Sequence, residues 1–183
     1  MAIPSLSGFM SRIIYTLVII CAMSLVSCTK QDRENTIISQ EASIDSYIES
    51  LSDKTVVRNG GSNRVIITDG VDGTEVAVGD SLYIRYAGYI FSRGKGALFV
   101  TNDETVAEAA SFPVQEAPMK IKLGSTELIG GLSSGLLGVK EGEQCYIMFS
   151  AKYGFNNKVV YNIPKLSPLF FEIWVDKVIK DIK

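Results

Sequence analysis

ELIGGLSSGLLGVKEGE, residues 127–143, is the stretch whose reading decides the fold of this chain. It is a Gly-studded apolar segment that ends in a short polar turn, followed by the apolar run Gln144–Ser150, by YGFNN at 153–157 and by IPKLSPLFFEIWV at 163–175. The segment around Thr126–Leu136 predicts a short helix, but Gly130, Gly131 and Gly135 weaken it intrinsically. Its stability must therefore come from packing inside a sheet. The block offers no obvious catalytic acid, base or metal ligand, so any chemistry here is chemistry of shape.

Working outward, strands flank this block on both sides. Arg64–Thr68 is β-branched, and Gly79-Asp80 makes a turn before the long run Ser81–Phe91. In that run Leu82, Ile84 and Tyr86 share the predicted core face, while Tyr83, Arg85 and Ala87 share the other. Ala97–Thr101, Met119–Leu123, Gln144–Ser150 and Leu169–Ile179 add further strands, and several antiparallel strands with one helix make an α+β domain. The last strand directs Leu169, Phe171, Ile173 and Val175 to one side and Phe170, Glu172, Trp174 and Asp176 to the other. Two large aromatics on a nominally solvent face need a cover. Ile37, Ile44, Ile48 and Leu51 recur at helical spacing upstream and predict an amphipathic helix over 37–52, expected to pack over Trp174. The same stripe could instead serve as a partner or dimerisation surface.

The order GL..G..GE, YGF and IP…L.F…V, together with VGDSLYIRYAGYIF at 78–91, resembles the FKBP-type peptidyl-prolyl isomerases over roughly the last 120 residues. The resemblance implies an antiparallel β-sheet wrapped around one short helix, with the amphipathic helix as an N-terminal extension. It also implies binding of proline-containing polypeptide segments and cis/trans isomerisation of their X-Pro bonds, with no cofactor and no metal. Residue by residue, Tyr86 matches the pocket tyrosine and Phe99 the aromatic after the next turn. Leu128 and Ile129 match the apolar pair before the helix, where the Ile129 N–H is the expected donor to substrate. Leu132 takes the pocket floor, and Ile163 and Phe171 the last two wall positions. The loop aromatic is Tyr153 or Phe155: counting from Gly142 favours Phe155, the Tyr-Gly pair favours Tyr153, and only Tyr153 could donate a side-chain hydrogen bond. Taken singly, each of these is also what the core of any β-domain contains.

Two departures from the family pattern stand out. Val100 occupies the position after the pocket Phe where family members usually carry Asp, and Asp103 comes three residues late. Asn102–Pro118 is also about ten residues longer than a minimal connection. It is either a lid whose Phe112-Pro113 pair reaches the pocket or, as expected here, a solvated loop with a short helix near Glu104–Ala110.

The N-terminus carries a different message. Arg12 flanks the apolar run Ile13–Val26, and Leu25-Val26-Ser27-Cys28 resembles a bacterial lipobox. Residues 1–27 are then a lipoprotein signal peptide, Cys28 the lipidated residue, 28–60 a tether (29–36) with the short helix, and 61–183 the FKBP-like domain. An ordinary signal peptide or an uncleaved membrane helix is the alternative. Acyl chains contribute about 0.8 kcal/mol per buried CH₂, so two or three anchor a protein stably in the cell envelope. Thr29 rather than Asp after Cys28 points, by enteric sorting rules, to the outer membrane.

Composition excludes several classes. With no histidine, Ser-His-Asp and Cys-His hydrolases are out. A net charge of −2 with interspersed signs gives no nucleic-acid footprint. Cys145 would be the one thiol left after export and lipidation, a small core residue with no disulfide partner in its chain. A monomer is expected. Three functions fit these residues: an envelope isomerase, a peptide-binding or chaperone-like lipoprotein with little turnover, and a scaffold in which the fold alone is retained.

Overall fold

The computed structural model describes residues 30–114 and 119–181, so the expected signal segment and Cys28 lie outside the described residues. The chain divides into two units between Ile38 and Ser39. Residues 30–49 form helix α1. The expected tether at 29–36 is thus corrected: from residue 30 it is helical, with Gln31 Nε2 donating to Asn35 Oδ1 at 3.1 Å.

The unit from Ser39 is built on one antiparallel sheet of β1 (Thr55–Asn59), β2 (Ser62–Thr68), β3 (Ser81–Phe91), β4 (Lys95–Thr101), β5 (Met119–Lys122), β6 (Gln144–Phe149) and β7 (Leu169–Ile179). Two short helices, α2 (Glu104–Ala110) and α3 (Gly130–Leu136), complete it. The strand order is β1-β2-β6-β7-β3-β4, with β5 beside the first part of β3 and β4 beside the second. The α+β architecture, one sheet around a short helix with an N-terminal helix, is the one expected. Its boundary is not: TVVRN at 55–59 pairs with β2 through a turn at Gly60 and Gly61, both at positive φ, so the sheet starts before residue 61.

Strand alternation divides the core into two layers. On one face Leu82, Ile84, Cys145, Ile147, Phe149, Leu169, Phe171, Ile173 and Val175 pack with Leu132 and Leu136 of α3. The glycines of α3 permit this. A Cβ at Gly131 would lie 2.3 Å from Phe149 Cγ, and one at Gly135 would lie 2.4 Å from Ile147 Cγ2, so the helix backbone rests directly on β6. Buried Arg64 closes the far end of α3, donating from Nη1 to Leu137 O at 3.0 Å and from Nη2 to Gly138 O at 3.2 Å, with Glu143 as its ion-pair partner.

On the other face Ile44 and Ile48 of α1 pack with Val65, Phe91, Met148 and Phe170. Tyr47 meets Phe91 and Phe170 edge-on at 5.8 and 6.1 Å. The helix therefore covers Phe170, and the expectation that it covers Trp174 is corrected. Trp174 lies under the Arg85 guanidinium at 5.6 Å. Between them, Lys95 Nζ bonds Glu172 at 2.5 Å and sits over Tyr146, so three different devices shield this one strand face.

Candidate functional site

Three consecutive polar residues at the end of β4 pin that strand to β3. Thr101 Oγ1 donates to Tyr86 O at 2.8 Å, while buried Asn102 accepts the Tyr86 N–H at 2.6 Å and donates to Ile84 O at 3.1 Å. Asp103 accepts the Val106 N–H at 3.0 Å as the N-cap of α2 and pairs with Arg85 Nη1 at 2.7 Å. It does not stand in for the family's acid. Ser111 then ends α2 in the left-handed region at φ 50°, and the Phe112 N–H bonds Ala107 O at 2.9 Å. This turn returns Phe112, Pro113 and Val114 to the wall of a cavity.

That cavity, of about 630 Å³, is lined by Phe99 and Val100 of β4, by Phe112, Pro113 and Val114, and by Phe155, Val160, Tyr161, Asn162 and Ile163. Its described lining holds no charged side chain. Of the candidate residues it brings together Phe99, Phe155 and Ile163. Phe171 lies behind them, edge-on to Phe99 at 5.8 Å and stacked on Phe149 at 6.0 Å. Tyr86, Leu128 and Ile129 are half-buried and pack against the same apolar layer, which includes Leu132; none of these four is among the cavity's lining. Burial pushes the Tyr86 phenol above its ordinary pKa of 10.0, so it is neutral at physiological pH.

Tyr153 and Phe155 both pack against the main core layer but line different cavities. The Tyr153 ring lies against Gly61 and lines a separate cavity of about 330 Å³ with Glu41, Asp45 and Arg58, whereas Phe155 lines the larger one. The connection after Thr101 contains the expected short helix, and Phe112, Pro113 and Val114 after it line the cavity although Pro113 and Val114 are also exposed to solvent. The turn at Val160–Ile163 is an addition that sequence reasoning missed, because no glycine marks it.

The loop bearing Phe155 and this turn is held at both ends. Asn156 N–H bonds Ala151 O at 2.8 Å and Leu166 N–H bonds Asn156 O at 2.7 Å. Gln40 of α1 spans the two ends, accepting the Ala151 N–H at 2.9 Å and donating to Leu166 O at 2.7 Å.

Comparison with known proteins agrees with this geometry. Over 118 residues the chain is 28% identical to FK506-binding protein 1 of Aspergillus oryzae, covering 64% of this chain and 98% of that one. It is 30% identical over 106 residues to FK506-binding protein 2 of the same fungus, covering 56% and 70%. Among solved structures, the N-terminal domain of FKBP42 from Arabidopsis thaliana superposes with a TM-score of 0.54 at 16% identity, covering 70% of this chain and 94% of that domain. The three FKBP domains of wheat FKBP73 give 0.59 at 18% identity, where the match covers 70% of this chain and about half, 52%, of the wheat chain. These structural likenesses speak for the fold. The family model described as FKBP-type peptidyl-prolyl cis-trans isomerase matches residues 73–176, and the chain belongs to that family.

Proposed function

We propose that this protein catalyses cis/trans isomerisation of X-Pro bonds in polypeptide segments held in the Phe99–Phe155–Ile163 cavity. The supporting observation is an apolar cavity with no charged side chain in its described lining, in a chain of the isomerase family. The barrier of about 18–20 kcal/mol comes from amide resonance and involves no proton transfer. Twisting the C–N bond makes the carbonyl less polar, so an apolar, water-poor wall stabilises the twisted form relative to the planar one. A millionfold acceleration requires about 8 kcal/mol of such difference. Phe99, Phe155 and Ile163 supply the wall, and Phe171 supports Phe99 from behind. A protease-free assay of an X-Pro peptide tests this. Relaxation at the uncatalysed rate with micromolar protein would overturn it.

One observation favours a second reading. Val100 puts an isopropyl group where family members usually carry a carboxylate. Peptide binding without turnover in the same assay would identify a binding module instead.

We further propose that Cys28 carries a lipid anchor that holds the domain at the cell envelope, on the basis of the apolar run 13–26 and the Leu-Val-Ser-Cys motif. Incorporation of labelled palmitate that disappears in Cys28→Ser is the expected result. Equal labelling of both, or of neither, would refute it.

A further inference from the structure

We propose that Gln40 of α1 is a positioning residue for the isomerase site, its side-chain amide closing a circuit of hydrogen bonds that fixes the loop carrying Phe155. This rests on the isomerase reading of the Phe99–Phe155–Ile163 cavity. Gln40 is not among the residues lining that cavity, and it lies outside the residues 73–176 that match the family. It acts from an element that precedes the matched region.

Gln40 Oε1 accepts the Ala151 N–H at 2.9 Å, and Ala151 O accepts the Asn156 N–H at 2.8 Å. Asn156 O then accepts the Leu166 N–H at 2.7 Å, and Leu166 O accepts from Gln40 Nε2 at 2.7 Å. Each backbone member uses both its N–H and its C=O within the circuit. Two corners, Asn156 and Leu166, sit at φ 52° and 57°. Asparagine tolerates the left-handed region, but leucine rarely enters it, and such a conformation persists where surrounding contacts over-determine it. Phe155 immediately precedes Asn156, so the circuit sets where this wall of the cavity stands.

The closing member is itself held in place. Gln40, Ile44 and Ile48 recur every fourth position and share one face of α1, and the two isoleucines are buried against Met148 and Phe170 of the sheet. Glu41 adds a second tie at the start of the loop, accepting from the Ser150 hydroxyl at 3.0 Å. The chemistry of the closing group is specific. The Ala151 N–H demands an acceptor and the Leu166 carbonyl demands a donor, and an uncharged carboxamide supplies both. A carboxylate supplies only the acceptor and turns its second oxygen on a carbonyl. A protonated carboxyl again supplies both.

That asymmetry gives the test. Gln40→Leu and Gln40→Glu are compared with wild type by kcat/KM on an X-Pro peptide at about pH 8 and about pH 5, with circular dichroism confirming the fold. In alkali both variants should fall about tenfold, because a small displacement of a positioned group is that costly. The Leu166 carbonyl favours the protonated form of the introduced carboxyl and raises its pKa. Of the charged residues adjoining Gln40, Ala151 and Leu166 in the chain, Glu41 adds to that rise, and Lys152 and Lys165 oppose it. Gln40→Glu should therefore recover about threefold or more on acidification, while wild type and Gln40→Leu stay flat. A wild-type rate in either variant at the higher pH, or a Gln40→Glu rate that does not rise in acid, overturns the positioning role. If the wild type turns over no peptide, the isomerase reading fails, and peptide affinity is read by fluorescence anisotropy at the same two pH values. Affinity lost in both variants and regained in acid by Gln40→Glu alone supports the role, and any other pattern, no binding included, overturns it.

Discussion

Two residues apart in sequence, Tyr153 and Phe155 face different cavities, and that separation gives the site its sharpest test. The short 3₁₀ turn Ala151–Tyr153 turns the tyrosine onto Gly61, and the chain that follows brings Phe155 beside Phe99 and Ile163. Phe155→Ala should lower kcat/KM about tenfold, the equivalent of about 1.4 kcal/mol of lost transition-state contact. Tyr153→Phe should leave it unchanged, because Tyr153 lines the other cavity. Equal losses in the same peptide assay would mean that the loop aromatic has been wrongly assigned. The lining also fixes the pH behaviour. It contains no carboxylate, amine or imidazole among the described residues, and Tyr86 behind it is shifted upward by burial, away from neutrality. The rate should be flat between about pH 5 and 9, and Val100→Asp should introduce an acid limb. A bell-shaped wild-type profile would reveal a titrating group that this assignment lacks.

At the scale of elements, α3 shows how composition and packing can oppose each other. Three glycines in seven residues make a poor helix, yet two of them are required by its seat on β6. Gly131→Ala would gain up to about 1 kcal/mol of helix propensity, but it drives a methyl into fully buried Phe149, and overpacking costs about 1–3 kcal/mol. The net change should be destabilising. Gly130→Ala meets only Tyr153 O, at 3.8 Å, and should be stabilising by about 0.4–1 kcal/mol. Urea midpoints that move in the same direction for both would contradict this seating. Gln40 makes a parallel case for α1, because its amide holds both ends of the cavity loop. Gln40→Ala should speed amide exchange across 151–166 with little effect on β7, since the two lost bonds contribute about 1 kcal/mol each. The legibility of these elements follows from range. The bounds of β7 and the faces of its residues were readable because alternation is local. The cover over Trp174 was not, because Arg85 reaches it from β3, a strand distant in sequence. Phe99 and Ile163 were readable from their places in local motifs. The Phe112 wall was legible only as the lesser of two readings, because a serine, not a glycine, makes the left-handed cap that directs it.

For the molecule as a whole, the two longest strands share one electrostatic fastening. Asp80, at the entrance to β3, accepts N–H bonds from Ala77 at 2.8 Å and from Asp181, beyond the end of β7, at 2.9 Å, and it also meets Lys180 Nζ at 3.0 Å. The carboxylate thus gathers the turn before β3 and the segment after β7, the adjacent pair at the centre of the sheet order. The backbone bonds from Ala77 and Asp181 outweigh its burial and lower its pKa from 3.8 to about 2. Because the folded value lies below the unfolded one, this group stabilises the fold fully above about pH 4. That stabilisation is lost as pH falls toward 2, where both states are protonated. Asp80→Asn removes the charge while keeping an acceptor, and it leaves an amide NH₂ facing donors that it cannot satisfy. The variant should lose about 1–3 kcal/mol at pH 7. Its stability should also fall less steeply than that of the wild type between about pH 4 and 2, so that the two curves converge in acid. Urea midpoints measured for both proteins at pH 7, 4, 3 and 2 decide the matter. Parallel curves across that range would mean that Asp80 titrates alike in the folded and unfolded chains and does not fasten the sheet.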